Sequence, residues 1–288
     1  MSDGASIRIG ATEVLVLRDG TAPLPLDEEL PGRKVDWAAE RRNFPWAFDG
    51  EGAWVWPVQS FLVRSPAATV LVDAGIGHLG RPPYAVEGRI EDALRAVGAS
   101  AVDVRHVVLT HLHGDHAGGV CRPDGSPRFP GATVHVHAAD WAHFATDDHR
   151  GGFHARDAIA PLEAADALSV TTADADVVPG IRHVHTPGHT PGHRSVIVED
   201  AGERVLLAGD LVHLPVQVAH PSWPSAHDGD PMLGVASRRL MLFRAGVGGW
   251  VVGVPHFVRP FGRVGTEGWV PEGPAEAGDR FRPGGPAR

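Results

Sequence analysis

The stretch LTHLHGDHAGG, Leu109 to Gly119, sets His111, His113, Asp115 and His116 within six residues, directly after the apolar run HVVL. Imidazole nitrogens and a carboxylate at that spacing suit Zn²⁺, Mn²⁺, Fe²⁺ or Co²⁺. The chain carries 18 histidines in 288 residues, so composition alone generates some clusters and context has to decide. That context is an apolar strand running into a glycine-rich turn. Gly114, Gly118 and Gly119 permit a tight backbone path on which neighbouring side chains converge, and Asp115 and His116 fall at a predicted helix start. Cys121 is the single cysteine, which rules out an intrachain disulfide and a thiolate-rich structural site. A metal held here would be catalytic.

Composition narrows the classes. Hydrophobic residues make up 43% of the chain and charged residues 21%, as in ordinary globular proteins. The net charge of -9 argues against a nucleic-acid partner, which calls for a basic face. MSDGASIRIG has neither the basic nor the apolar region of a signal peptide. No run approaches the ~18 apolar residues of a membrane span. The expectation is a soluble cytoplasmic protein with no membrane partner.

Period-two apolar runs predict strands at 13–17, 58–63, 69–72, 106–109, 133–136, 182–185, 195–198, 205–207 and 250–254. Ile90, Leu94 and Val97 mark a helix stopped by Gly98. Asp230 and Pro231 read as the cap and first residue of another, with Leu233, Ala236, Leu240 and Phe243 along its apolar face. A further helix is expected at 138–145. Strands mixed with helices indicate an α/β or α+β fold. One domain is expected over residues 1–265, with a mobile tail over 266–288, because Pro271–Arg288 holds eight Gly or Pro in eighteen residues.

Further ionisable groups stand at the ends of predicted strands. HTPGHTPGH (185–193) offers His185, His189 and His193; VLLAGD (205–210) ends in Asp210; VVGVPHF (251–257) carries His256. Such groups make poor core residues and good site residues. His193, four residues past His189, could fix a ligand by hydrogen bonding. His135 and His137 alternate with Val134 and Val136 as in a half-exposed strand.

Taken in order, HLHGDH, TPGHTPGH, LLAGD and GVPHF resemble the metallo-β-lactamase superfamily over about Val14 to Phe261, and VLVDAGIG (70–77) is similar to that family's early strand and turn. The resemblance implies an αββα sandwich, two mixed β-sheets flanked by helices, with two divalent metals at one edge. Zn²⁺ comes first among these metals, ahead of Mn²⁺, Fe²⁺ or Co²⁺. Carried over residue by residue, one metal takes His111, His113 and His189; the other takes Asp115, His116 and His256; Asp210 bridges them.

Two such cations, about 3.5–4 Å apart, lower the pKa of a water held between them toward ~7 and so provide hydroxide for hydrolysis. Asp115 can both ligate and move a proton. The bridging Asp210 departs from true β-lactamases of this fold, His113 from the oxygen-reducing relatives, and the charge from RNA-processing members. The segment Gly209–Pro231 resembles the N-acyl homoserine lactonases and related phosphotriesterases. Where several small lactonases have a Tyr three residues after the bridging Asp, this chain has His213, a candidate donor to the developing oxyanion.

The implied function is hydrolysis of a small-molecule lactone or ester, with a phosphotriesterase or thioesterase as an alternative on the same site. A mononuclear-iron persulfide dioxygenase is the alternative of another class. A homodimer is among the options for assembly. Phe44, Trp46, Phe48, Trp54 and Trp56 are expected to divide between core and pocket wall, and Trp223, between two prolines, is a similar candidate.

Overall fold

Val70-Leu71-Val72 and Val205-Leu206-Leu207 are apolar on successive residues, which suits a strand covered on both faces. The computed structural model, which describes residues 5–23, 26–30, 32–80, 88–146 and 153–273, places both in that setting. The first sheet runs in chain order: β1 (Ser6–Ile9), β2 (Thr12–Pro23), β3 (Val55–Arg64), β4 (Thr69–Val72), β5 (His106–Val108), β6 (Thr133–His137) and β7 (Leu168–Thr171). Its pairings are antiparallel up to β4 and parallel from β4 to β7.

The second sheet comprises β8 (Ala175–Val178), β9 (Ile181–His185), β10 (Arg194–Asp200), β11 (Glu203–Leu207), β12 (Val251–Gly253), β13 (Phe261–Gly265) and β14 (Gly268–Pro271). Here only the β11–β12 pair is parallel.

Side-chain alternation builds the layers. Val70 and Val72 meet Val205 and Leu207 between the sheets. Leu71 points outward to Ile90 and Leu94 on the helix Ile90–Ala96. Leu206 points outward to Met241, Leu242 and Ala245 on the helix Pro231–Gly248. The result is the expected αββα sandwich. Each of the nine predicted strand runs overlaps an observed strand, and the helix expected at 138–145 spans Ala138–His143. Among the described residues no helix is long and apolar enough to cross a membrane.

Two expectations change. The helix Pro231–Gly248 is capped as predicted: Met232 and Leu233 N–H groups donate to Asp230 Oδ1 at 3.1 and 3.0 Å, and Gly249 ends the helix with φ 62°. Its buried face, however, is a different one. Leu233, Leu240 and Phe243 are 42%, 57% and 68% exposed, whereas Ser237, Arg238, Met241, Leu242 and Ala245 face inward. Arg238 sets this rotation by donating to Leu211 O, Trp223 O and Asp228 Oδ2 at 2.6, 2.7 and 3.0 Å. A buried guanidinium must be paired, and that requirement outweighs the apolar periodicity.

The domain also continues past residue 265. The hairpin β13–β14 crosses that boundary, and Trp269 packs edge-on against Phe257 with centroids 5.0 Å apart. Residues 274–288 of the expected tail lie outside the described residues.

Candidate metal centre

Every candidate ligand sits just past the end of a strand, at one edge of the sandwich. β5 leads into His111 and His113, and the short helix Gly114–Ala117 presents Asp115 and His116. β9 leads to His189, β11 to Asp210 on the 3₁₀ turn Gly209–Leu211, and β12 to His256. The histidine loop is seated backbone on backbone. Ala74 N–H donates to His116 O at 2.7 Å and Gly119 N–H to Gly75 O at 3.0 Å. A Cβ on Gly118 or Gly119 would run into the carbonyls of Ile76 or Ala74, so only glycine fits.

The seven side chains form two groups that share one carboxylate. In the first, His113 Nδ1 lies 3.0 Å from His111 Nε2 and 2.9 Å from His189 Nε2. Asp210 Oδ2 is 3.8 Å from His111 Nε2 and 3.4 Å from His189 Nε2. In the second, His116 Nε2 and His256 Nε2 are 3.2 Å apart, and each is 3.1 Å from Asp210 Oδ1. Asp115 Oδ2 completes that group at 3.6 and 3.8 Å from the two nitrogens.

The protons on the far side of these rings test the fit to a cation. His116 Nδ1 donates to Asp73 Oδ2 at 2.8 Å, while His256 Nδ1 lies against both Pro57 O, at 2.8 Å, and Trp56 Nε1. With its proton at Nδ1, His116 turns Nε2 toward Asp210 Oδ1, which is buried without a hydrogen-bond donor and which His256 Nε2 also faces. Electron-rich atoms converging in a buried space call for a positive charge between them. The donor set is all nitrogen and oxygen, which suits Zn²⁺ and its neighbours.

Titration behaviour agrees. Burial pushes His111 and His189 well below the ordinary imidazole value, with neighbouring imidazoles adding to it, and pushes His113 down to about 4. Burial would raise Asp210, but His116, His256, His213 and His189 hold it well below the carboxylate range. Burial would also lower His116, yet Asp210, Asp115 and Asp73 raise it well above its usual value.

Supporting side chains fix the donors. Asp73, at the end of β4 with φ 61°, also accepts from Thr110 N–H at 2.8 Å. That backbone conformation is strained for a non-glycine residue. His193 Nε2 accepts the Asp210 backbone N–H at 3.0 Å, while its Nδ1 donates to Thr186 O at 2.9 Å. Asp140 accepts from Thr190 Oγ1 at 2.8 Å and Gly192 N–H at 2.6 Å, and is further held by the backbone of Leu112, so it joins the two histidine-bearing loops. Neither Asp73 nor Asp140 is singled out as a site residue by the sequence. Asp73 carries the same mark as Asp210, a carboxylate at the end of a buried strand.

His213 is fully buried, and its Nε2 donates to Asp210 Oδ2 at 3.1 Å. Its evident partner is thus the shared carboxylate. Beside the cluster opens a cavity of about 280 Å³ lined by Trp56, Phe144, Phe153, His154, His213 and His227 together with Asp115 and Asp210. Of the five N-terminal aromatics only Trp56 reaches it, with Nε1 against His256 Nδ1. Phe44, Trp46, Phe48 and Trp54 are core, and Trp223 stacks on His220 away from the cavity.

Residues 53–247 match the family model of the metallo-beta-lactamase superfamily, and the chain belongs to that superfamily. Among individual proteins it is similar to the N-acyl homoserine lactonase AttM of Rhizobium radiobacter, with 31% identity over 171 residues. That match takes in 52% of this chain and 63% of AttM, less than two thirds of the relative's length. Two solved structures share the fold over nearly the whole chain. One is the hydrolase AbOPH of the beta lactamase superfamily, with TM-score 0.81, 24% identity and coverage of 96% of this chain and 99% of that one. The other is AidC, a dizinc quorum-quenching lactonase in complex with a product, with TM-score 0.79, 22% identity and coverage of 95% and 98%.

Proposed function

We propose that the protein is a dinuclear metal-dependent hydrolase that opens a lactone or related ester of the N-acyl homoserine lactone kind. The observation that carries this reading is the shared carboxylate, with Asp210 Oδ2 facing one histidine group and Oδ1 the other beside an open cavity. His111, His113 and His189 would hold one cation, Asp115, His116 and His256 the second, and Asp210 would serve both.

Two divalent cations, Zn²⁺ foremost, would polarise the ester carbonyl and lower the pKa of a water between them. The chain's own residues do the rest. Asp73 and Thr186 O fix imidazole tautomers, directly at His116 and through His193 at Asp210. His213 orients Asp210 Oδ2. Asp115, which lines the cavity, accepts the proton lost as water oxygen bonds to the acyl carbon. It returns that proton to the ring oxygen as the acyl C–O bond breaks, and a hydroxy acid leaves. Trp56, Phe144 and Phe153 supply the apolar wall for an acyl chain.

The test is a panel of lactones, thioesters and phosphotriesters, run before and after chelation and after Zn²⁺ is restored. Lactones should be the best substrates, and their turnover should vanish and return with the metal. A metal-replete enzyme that cleaves phosphotriesters or thioesters but no lactone would overturn the substrate assignment.

A further inference from the structure

The helix Pro231–Gly248 turns an apolar side to solvent. Leu233, Ala236, Leu240, Phe243 and Val247 recur at alternating steps of three and four residues, which aligns them in one stripe, and all five are exposed. Met232 flanks the start of the stripe at 86% exposed, and Val247 closes it at 75%. With roughly 150–200 Å² for a side chain of this size, Met232, Leu233, Leu240, Phe243 and Val247 together expose on the order of 500–650 Å². That reaches the largest apolar patch a monomer ordinarily leaves open.

The helix cannot turn to hide this stripe, because its opposite side is bonded to the rest of the chain. Arg238 is fixed to Leu211, Trp223 and Asp228. Ser237 Oγ donates to Pro187 O at 2.7 Å, and at the helix entry Asp230 N–H donates to Gly188 O at 2.8 Å. Met241, Leu242 and Ala245 are packed into the core. Rotation would break these contacts and leave a buried guanidinium uncompensated. The stripe therefore stays outward.

A surface pairs with its own copy about a two-fold axis when residue i of one chain meets j of the other and j meets i. This stripe meets that condition. With two helices laid antiparallel, Leu240 of each copy falls on Ala236 of the other, where the small side chain leaves room, and Phe243 falls on Leu233. The same register carries Arg244 of each copy towards the end of the other helix that bears the exposed Asp230, opposite in charge. Antiparallel axes also oppose the two helix dipoles. A standard interface buries about 800 Å² per partner, so the stripe supplies most of the area a stable dimer needs. Other covers fit less well. Residues 274–288 carry one large apolar side chain, Phe281, and a net charge of -9 opposes an anionic membrane surface. We infer that the outer face of this helix is the two-fold interface of a homodimer, packed antiparallel on its own copy.

Sedimentation velocity of the metal-replete full chain across the micromolar range should give twice the 30.5 kDa mass of one chain. Leu240→Glu and Phe243→Glu, both at exposed positions, should leave metal content and far-UV circular dichroism unchanged. Each should raise the dimer dissociation constant about 100-fold or more, because a two-fold interface buries the new unpaired charge twice. On mild oxidation, a mixture of Ala236→Cys and Leu240→Cys chains should link across the mixed pair in preference to either chain with itself. A wild type that sediments as a single chain, or a dimer that both glutamate variants leave intact, would overturn the inference. So would self-linking as efficient as the mixed pair, which the antiparallel register forbids.

Discussion

The two sheets reach the candidate metal centre in different ways. The first supplies four donors from one turn, His111 to His116, and that turn serves both groups. The second supplies three, His189, Asp210 and His256, one from each of three loops spread over 68 residues of chain. A local turn fixes the spacing of its own donors by backbone geometry. Donors on separate loops are aligned only when the sheet beneath them is formed, so their placement depends on β9, β11 and β12 being in register. The supports follow the same division. Asp73 braces the shared turn, while His193 braces one donor at its backbone.

Removing a brace on each side sharpens that contrast. Asp73→Asn takes the charge from the acceptor of His116 Nδ1–H and from Thr110, and the affected turn feeds both groups. Metal affinity should fall on the order of 10–100-fold at both sites, measured by competition with a chromophoric chelator. His193→Gln keeps an acceptor within reach of the Asp210 N–H, so its loss should be toward the lower end of that range. If His193→Gln proved the more damaging, the single-donor loops would be the less forgiving half.

A smaller effect is expected away from the cluster, where β6 of the first sheet faces β9 of the second. His137 stacks on His185 with centroids 4.1 Å apart, and His106 Nδ1 lies 3.1 Å from His135 Nε2. Burial, helped by neighbouring imidazoles and Arg194, pushes His135, His137 and His183 down to about 4. Their unfolded value is near 6.5. Between these limits the unfolded chain binds more protons than the folded one, so stability rises with pH. The contribution is complete above about pH 6.5 and is lost as pH falls through about 4. The metal-free protein should show a falling Tm over that window, and His183→Gln should flatten the slope. An unchanged slope would show that the seam titrates alike in both states.

Sequence made the strand ends legible because their donors are residue types a core rejects, placed directly after runs a core demands. Asp210 and His256 stand out on those grounds alone. The pairing of donors into two groups was not legible from spacing and came from the family resemblance. The short strands β1, β7, β8, β13 and β14 escaped because each has five residues or fewer and carries Gly, Pro or polar side chains near a sheet edge. The helix Pro231–Gly248 shows a different limit. Its ends follow from its own residues, but its rotation follows from Arg238 meeting Asp228 and two carbonyls, partners that no local pattern reveals.

The central claim is that both donor groups hold a cation and that Asp210 joins them. Its most direct test is a stoichiometric titration of the chelated protein with Zn²⁺ or Co²⁺, run in parallel on wild type and Asp210→Asn. The wild type should take up two equivalents per chain, and Asp210→Asn should weaken both binding steps together, because the lost charge faced both groups. Saturation of the wild type at one equivalent, or an Asp210→Asn protein that still holds two metals with near-normal turnover, would contradict the account.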